Sequence, residues 1–299
     1  MLHPVVVGVD GSPESLAAAE WAAAEAASSG LPLRLVHAWE GVPYPSSPYP
    51  SSSAADPAAG QDGAGRSLRE AEEHLTTRFP GTRPTGELIQ GPPVPTLLKA
   101  AEEAETLVLG SRGLSGAAGY LAGSVASDVV AHAARPVVLV RPAPHPGTTA
   151  DPPSGTTSPG RVVLGIDLAH PCDEVIRFAF EAARRRGTPL YVLHAYGLPL
   201  AYSIAAVQIP LSQDLLATER GDDLAAVLRP WREKYPDVPV TADAVMDRAA
   251  DRLVKAASGA ALLVLGRQER TSRLGARLGH VAHSVIAHAA CPVAVVPHG

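Results

Sequence analysis

Residues 110–124 read GSRGLSGAAGYLAGS, with glycine at 110, 113, 116, 119 and 123 and a serine opening a helix-like run. They follow directly on an apolar, strand-like stretch. Glycine loses more conformational freedom on folding than any other residue, so a cluster of them calls for a reason. The start of a helix presents unpaired N–H groups and a partial positive charge, and a main chain without Cβ atoms lets a phosphate rest against them. Ser124 adds a hydroxyl. Glycine spacing alone describes a plain crossing loop equally well. A second chemical group, Asp10, stands in VVVGVDGSP after another apolar run. An acid at a strand-to-helix turn either caps the helix or faces a ligand at the strand ends.

These residues sit in a chain of 299 with 25 Lys+Arg against 30 Asp+Glu, a net charge of −5. That balance opposes a general electrostatic grip on nucleic acid or an anionic membrane. Its three tryptophans and three phenylalanines form no stacking platform for single strands. The two cysteines, Cys172 and Cys291, are in no metal-binding spacing and cannot staple a protein of this size. No run of apolar residues is long enough to cross a bilayer, and the first residues lack the form of a secretory leader. The expectation is a cytoplasmic protein without membrane or nucleic-acid partners.

The elements that must position the glycines repeat. VVVGVDGSP at 5–13 returns as VVLGIDLAHP at 162–171, LVHAW at 35–39 as VLHAY at 192–196, and LVLGSRG at 107–113 as LVLGRQE at 263–269. AHAARPVVLVRP at 131–142 returns as AHAACPVAVVP at 287–297. Two domains follow, 1–142 and 161–299, joined by a Pro/Gly/Ser/Thr-rich linker at 143–160. In each, short β-branched runs alternate with Ala-rich amphipathic stretches, as in β-α-β units around a parallel sheet. The first half reads as strands near 4–9, 32–38, 84–90, 105–110 and 136–141. Its first helix starts at the Ser12 cap, presents Leu16, Ala19, Ala23, Ala26 and Ala27 to the sheet, and stops at Gly30. The matching helix of the second half presents Val175, Phe178, Ala179 and Ala182 and ends at Gly187. Residues 40–65, rich in Pro, Ser and Gly, read as a long loop.

Gly110, Gly113 and Gly123-Ser124 form G-x2-G-x9-G-S, which resembles the ATP-binding signature of the universal stress protein family. The resemblance covers both halves outside the linker. It implies two tandem five-stranded parallel α/β sandwiches of the adenine nucleotide α-hydrolase-like type, strand order 3-2-1-4-5, packed as a pseudo-dimer through 137–141 and 293–297, with or without further association into a homodimer. It also implies roles. Asp10 would face the adenosine and its Mg2+, with Val9, Gly11 and Ser12 alongside, and Ala38 would touch adenine through its main chain. Gly110 would admit the ribose and Gly113 the phosphates, while Gly123, Ser124 and Val125 would cradle the triphosphate. Arg112 and Ser115 would add phosphate contacts.

The second half departs from the pattern. It keeps Asp167, Gly266 and Gly279 but has Glu269 in place of Gly113 and His280 in place of Ser124. A carboxylate about 4 Å from a phosphate charge opposes it by about 4 kcal/mol at an effective dielectric near 20. Arg267, Arg270, Arg273 and Arg277 crowd the same stretch, where they either neutralise Glu269 in a solvated loop or attract a different anion. His280 and His283, at i and i+3, share a helix face, but His288 falls well round the helix and repeats His132, so the three read as packing or surface residues before a metal site. His37 and His194, at the ends of the second strands, read as core or pocket wall. No nucleophile elbow and no Walker-type loop occurs. The sequence therefore points to ATP binding in the first half, in a regulator that reports nucleotide status. Two other classes stay open: an enzyme of slow ATP hydrolysis or adenylyl transfer, and a nucleotide-free scaffold that docks an acidic partner.

Overall fold

The computed structural model describes residues 2–40, 57–111, 123–142, 160–197, 211–268 and 278–299. The chain divides into two compact units, Met1–Thr148 and Thr149–Gly299. The expected linker lies, apart from Gly160, outside the described residues.

The amino-terminal unit runs β1 (Val5–Gly8), α1 (Pro13–Ser29), β2 (Leu33–Trp39), α2 (Pro57–Arg78), β3 (Thr85–Gln90), α3 (Pro93–Glu102), β4 (Thr106–Gly110), α4 (Ser124–His132) and β5 (Val137–Val140). Its strands lie in the order β3-β2-β1-β4-β5, and every pair is parallel. Val5 pairs with Leu33 on one side and Thr106 on the other. Such a sheet must be covered on both faces, which is why β1 and β5 read as unbroken buried valines and leucine. After β2 and β3 have been laid to one side of β1, the chain crosses to its other side at β4. The crevice between β1 and β4 is therefore the topological switch point, where ligands of open parallel sheets bind.

Helix α1 shows what places that crevice. Its sheet face is Ser15, Ala18, Ala19, Ala22, Ala23 and Ala26, all buried. Leu16 is only half-buried and Ala27 is exposed, so the face is rotated from the sequence reading. The reason is distance. A Cβ on Gly110 would stand 2.6 Å from the Glu14 carbonyl carbon and 2.7 Å from the Ser15 nitrogen, an approach that leaves room only for alanine and serine between helix and sheet. Gly30 ends the helix in the left-handed conformation at φ 65°, and its N–H donates to the Ala26 carbonyl.

Helix α2 corrects a second expectation. The loop expected over 40–65 gives way at Pro57 to helix, through Gly60, Gly63 and Gly65. Leu68, Ala71 and Leu75 are buried against β2 and β3, and burying them outweighs the poor helix propensity of the glycines upstream. Residues 41–56 lie outside the described residues.

The carboxy-terminal unit repeats the plan with β6 (Val162–Gly165), α5 (Asp173–Arg186), β7 (Leu190–Tyr196), α6 (Leu211–Lys234), β8 (Val240–Met246), α7 (Ala249–Ala256), β9 (Leu262–Gln268), α8 (His280–His288) and β10 (Val293–His298). Its order is β8-β7-β6-β9-β10, again all parallel. In α5 the aromatic core residue is Phe180 rather than Phe178. Phe180 stacks on Trp231 at 6.0 Å and Tyr235 at 5.3 Å, two side chains of and just beyond α6 whose positions the local helical period does not reveal.

Gly110→Ala is expected to lower the urea unfolding free energy by about 1–3 kcal/mol through overpacking against the α1 main chain. Gly30→Ala, whose Cβ meets nothing within 4 Å, loses about 1 kcal/mol through its left-handed backbone alone. Unfolding followed by circular dichroism checks both losses, and a smaller effect at position 110 than at position 30 contradicts the packing described.

Candidate functional site

At the switch point of the amino-terminal unit a cleft of about 290 Å³ opens over the ends of β1, β2 and β4. Val9 still belongs to the ladder, since its N–H donates to the Val36 carbonyl at 2.9 Å. The chain then turns. The Ser12 N–H donates to Asp10 Oδ1 at 2.9 Å, and Ser12 Oγ accepts from the Ser15 N–H at 3.1 Å as the cap of α1. Ser15 closes the knot: its Oγ accepts from the Asp10 N–H at 3.3 Å and donates to the Ser12 carbonyl at 2.9 Å. Gly11 takes φ 81°, and a Cβ there would come within 2.8 Å of Ser67 Oγ on α2. This glycine is required by the turn and by α2, and it does not line the cleft.

Across the cleft stands the start of α4, and it is built differently. Gly123 is the cap residue with φ −43° and ψ 147°, and among the described residues no side-chain bond caps the helix. A Cβ at Gly123 would meet no described atom within 4 Å. Neither backbone strain nor packing among the described residues calls for glycine here, whereas Gly110 and Gly11 are demanded by their neighbours. Gly123, Ser124 and Val125 line the cleft. The first turn of α4 therefore faces it with no capping serine or aspartate at the cap position.

The cleft gathers Val9, Asp10, Ser12, Ala38, Gly110, Gly123, Ser124 and Val125. Arg112, Gly113 and Ser115 lie outside the described residues. Residues that the sequence did not single out also line it, among them Glu14, Leu97 and Leu109. Glu14 carries a readable signal as the acid in the first turn of α1. Leu97 does not, because its place depends on α3 lying over the end of β1, where its side chain comes within 3.0 Å of the Cβ that Gly8 lacks.

Among the described lining residues the titratable side chains are the two carboxylates Asp10 and Glu14. Desolvation pushes the Asp10 carboxyl upward, but hydrogen bonds from Ser12 and Ser15 and the nearby His37 outweigh it, and the net shift is downward. Asp10 is thus held ionised. His37 is buried, and its Nδ1 has no hydrogen-bond partner among the described residues. Burial lowers its pKa, with Asp10 opposing. The equivalent His194 instead donates from Nδ1 to the Ile166 carbonyl at 3.0 Å. His132 and His288 each donate back to their own helix, to Asp128 and Ser284 carbonyls at 2.8 Å.

The carboxy-terminal unit has a cleft of about 640 Å³ at the matching place. Asp167, Ala195, Gly266, Gly279 and His280 line it where Asp10, Ala38, Gly110, Gly123 and Ser124 line the first. Asp167 Oδ1 accepts from the Ala169 N–H at 3.0 Å, and its other oxygen accepts from His170 at 3.4 Å. Glu269, Arg270, Arg273 and Arg277 lie outside the described residues.

The universal stress protein family model matches residues 1–141 and 159–297. Universal stress protein Rv2005c of Mycobacterium tuberculosis is 35% identical over 305 residues, covering 98% of this chain and 96% of that protein. Universal stress protein Rv1996 of the same organism is 34% identical, covering 97% of this chain and 94% of its own length. In fold, the crystal structure of a universal stress protein from Archaeoglobus fulgidus covers all of this chain and all of its own, with TM-score 0.65 at 18% identity.

His37 gives a pH prediction with a definite sign. Its folded pKa lies below the unfolded value of about 6.5, so the unfolded chain takes up the proton first. Stability contributed by the neutral ring is whole above about pH 6.5 and falls as pH drops from there through the folded pKa. NMR titration of the ring is expected to give a midpoint below the ordinary value, and His37→Gln to flatten the loss of stability in this window. A midpoint at or above about 6.5 contradicts the buried, partnerless placement.

Proposed function

We propose that this chain, which belongs to the universal stress protein family and carries its domain twice, binds ATP with Mg2+ in the amino-terminal cleft. The observation that carries the reading is the start of α4: among the described residues nothing requires its cap glycine and no side chain caps it, and Ser124 stands beside it on the cleft wall. First-turn amides and the positive end of the helix dipole suit a polyphosphate. The oxygen donors opposite suit Mg2+. Asp10, Glu14 and Ser12 are hard ligands, too few to enclose the ion, and Mg2+ commonly completes its shell with water and substrate phosphate. Ala38 and Val9, on β2 and just past β1, would bound the base, with Leu97 and Leu109 as apolar wall. Arg112, Gly113 and Ser115 keep the phosphate roles that the family resemblance gives them.

The role proposed is regulation by nucleotide occupancy. Both titratable groups described in the cleft are acids, and Asp10 is held ionised by the turn around it. That environment favours holding a cation over moving protons, so hydrolysis would be slow and turnover is not the function. The compartment this reading requires is the cytoplasm, where ATP is supplied and the free thiols Cys172 and Cys291 stay reduced. No helix among the described residues is long and apolar enough to cross a membrane. Pairing of the two halves as a pseudo-dimer through β5 and β10, alone or within a homodimer, belongs to the same proposal, because outer strands need covering.

The test is nucleotide retained by the purified protein, released by heat and identified by mass spectrometry, with affinity then measured for ATP and Mg2+ by calorimetry. Gly123→Glu fits sterically among the described residues and puts a carboxylate at the α4 start. It is expected to weaken ATP binding at least about tenfold, allowing for screening of the full Coulomb term at this exposed position. Asp10→Ala is expected to remove the Mg2+ dependence of the affinity. Unchanged ATP affinity in Gly123→Glu contradicts the proposal.

A further inference from the structure

The acid of the amino-terminal cleft is held from outside the cleft as well as from within its own turn. Gly11, the residue after Asp10, takes φ 81°, and a Cβ there would stand 2.8 Å from Ser67 Oγ and 3.2 Å from Ser67 Cβ. The α-carbon of Gly11 therefore rests against a side chain of α2. Ser67 does not line the cleft, nor does any other described residue of that helix.

The contact is steric. The Ser67 hydroxyl is committed to its own helix, donating to the Gly63 carbonyl at 3.3 Å, and that bond selects the rotamer that meets Gly11. The helix behind it is anchored along its length. Leu68, Ala71 and Leu75 are buried, and α2 packs on β2 and β3. Further along, Glu20 of α1 accepts from His74 Nε2 at 2.7 Å and lies 3.4 Å from Arg78 Nε. Ser67 is thus a fixed stop, and the turn closes against it: the Ser12 N–H reaches Asp10 Oδ1 and the Ser15 N–H reaches Ser12 Oγ.

The second unit is arranged differently at this point. Leu168 stands where Gly11 stands and carries the Cβ that Gly11 lacks, so a helix cannot be seated on that α-carbon in the same way. Asp167 still accepts from the Ala169 N–H at 3.0 Å, as Asp10 does from Ser12. The helix that follows Asp167 begins only at Asp173, whereas α1 begins at Pro13, about one turn sooner after its acid. The Asp167 side chain is 66% exposed and turned to His170. The bond to the acid is local to the motif, while the tight junction of acid and helix goes with the glycine and the serine that rests on it.

We infer that Ser67 is a positioning residue of the amino-terminal site: seated on the α-carbon of Gly11, it holds the turn that keeps Asp10 at the cleft wall. That it holds the turn follows from this contact, and that it thereby sets a metal-binding carboxylate rests on the function proposed above. Ser67 acts only through Asp10. A larger side chain at position 67 shifts the turn and the carboxylate, and leaves the start of α4, on a separate element, where it is.

The test uses the full-length protein and two readouts: amide exchange of Ser12 and Ser15 without ligand, and ATP affinity by calorimetry in Mg2+ and in EDTA. Leucine has the higher helix propensity, so Ser67→Leu does not weaken α2 itself. It is expected to speed exchange at Ser12 and Ser15 about threefold or more, with Val6 and Val7 of β1 unchanged. It is also expected to lower ATP affinity in Mg2+ about threefold or more and to leave the affinity in EDTA as it was. Gly11→Ala is expected to loosen the same amides, and Ser67→Gly added to it to restore their protection, because it removes the atoms that the new Cβ meets. If the wild type binds no ATP, or binds it without regard to Mg2+, the reading of the cleft fails and the exchange results alone decide the inference. Unchanged Ser12 and Ser15 exchange in Ser67→Leu, equal loosening at Val6 and Val7, no recovery in the double variant, or a loosened turn with the wild type's Mg2+ dependence intact would each overturn it.

Discussion

At the carboxyl end of a parallel sheet every strand hands over to a helix, and the N–H groups of that helix's first turn have no partner within the helix. What satisfies them decides what the sheet can do. In the amino-terminal unit two helix starts face one cleft, and they are treated in opposite ways. Helix α1 is closed by Ser12, with Ser15 and Asp10 tied into the same turn. Helix α4 begins at a glycine and, among the described residues, is closed by no side chain. One start therefore fixes an acid, and the other offers amides. Main-chain donors held by a rigid ladder need no reorganisation to meet an anion, which is why this pairing suits a nucleotide and its cation.

The tandem match to the universal stress protein family makes the second unit a natural comparison, because the same topology is there with different side chains. Gly110 and Gly266 occupy equivalent strand ends, yet the first is filled by helix main chain and the second by an imidazole. His37 keeps a bare Nδ1 where His194 finds a carbonyl. Small changes of this kind leave the fold intact and replace two acids on the cleft wall by one acid, an arginine and several histidines.

Much of this was legible in the chain. The repeat, the parallel-sheet pattern and the Ser12 cap follow from local period and turn chemistry, and the family resemblance named Val9, Asp10, Ala38, Gly110, Gly123, Ser124 and Val125, which line the cleft. What escaped depends on contacts far apart in sequence. The face of α1 is turned because Gly110 lets the helix come too close for Leu16, a fact about strand β4 rather than about the helix. Helix α2 begins at Pro57 in glycine-rich sequence because Leu68, Ala71 and Leu75 anchor it on the sheet. Phe180 replaces Phe178 in the core because Trp231 and Tyr235 arrive from α6 and its end. Leu97 joins the cleft through packing of α3, which no motif records, whereas Glu14 was readable as the acid of the first turn of α1. Gly110 was legible as a required glycine, but its steric reason is the helix, and any part in admitting a ribose comes in addition.

The most direct measurement of the central claim is amide hydrogen exchange at residue level, with and without saturating Mg2+ and ATP. The account places the nucleotide's phosphates on the main chain at the start of α4, so slowed exchange should concentrate at Ser124, Val125 and Ala126 and in the Asp10–Ser15 turn. Saturation by nucleotide with no change at the first turn of α4 would contradict it.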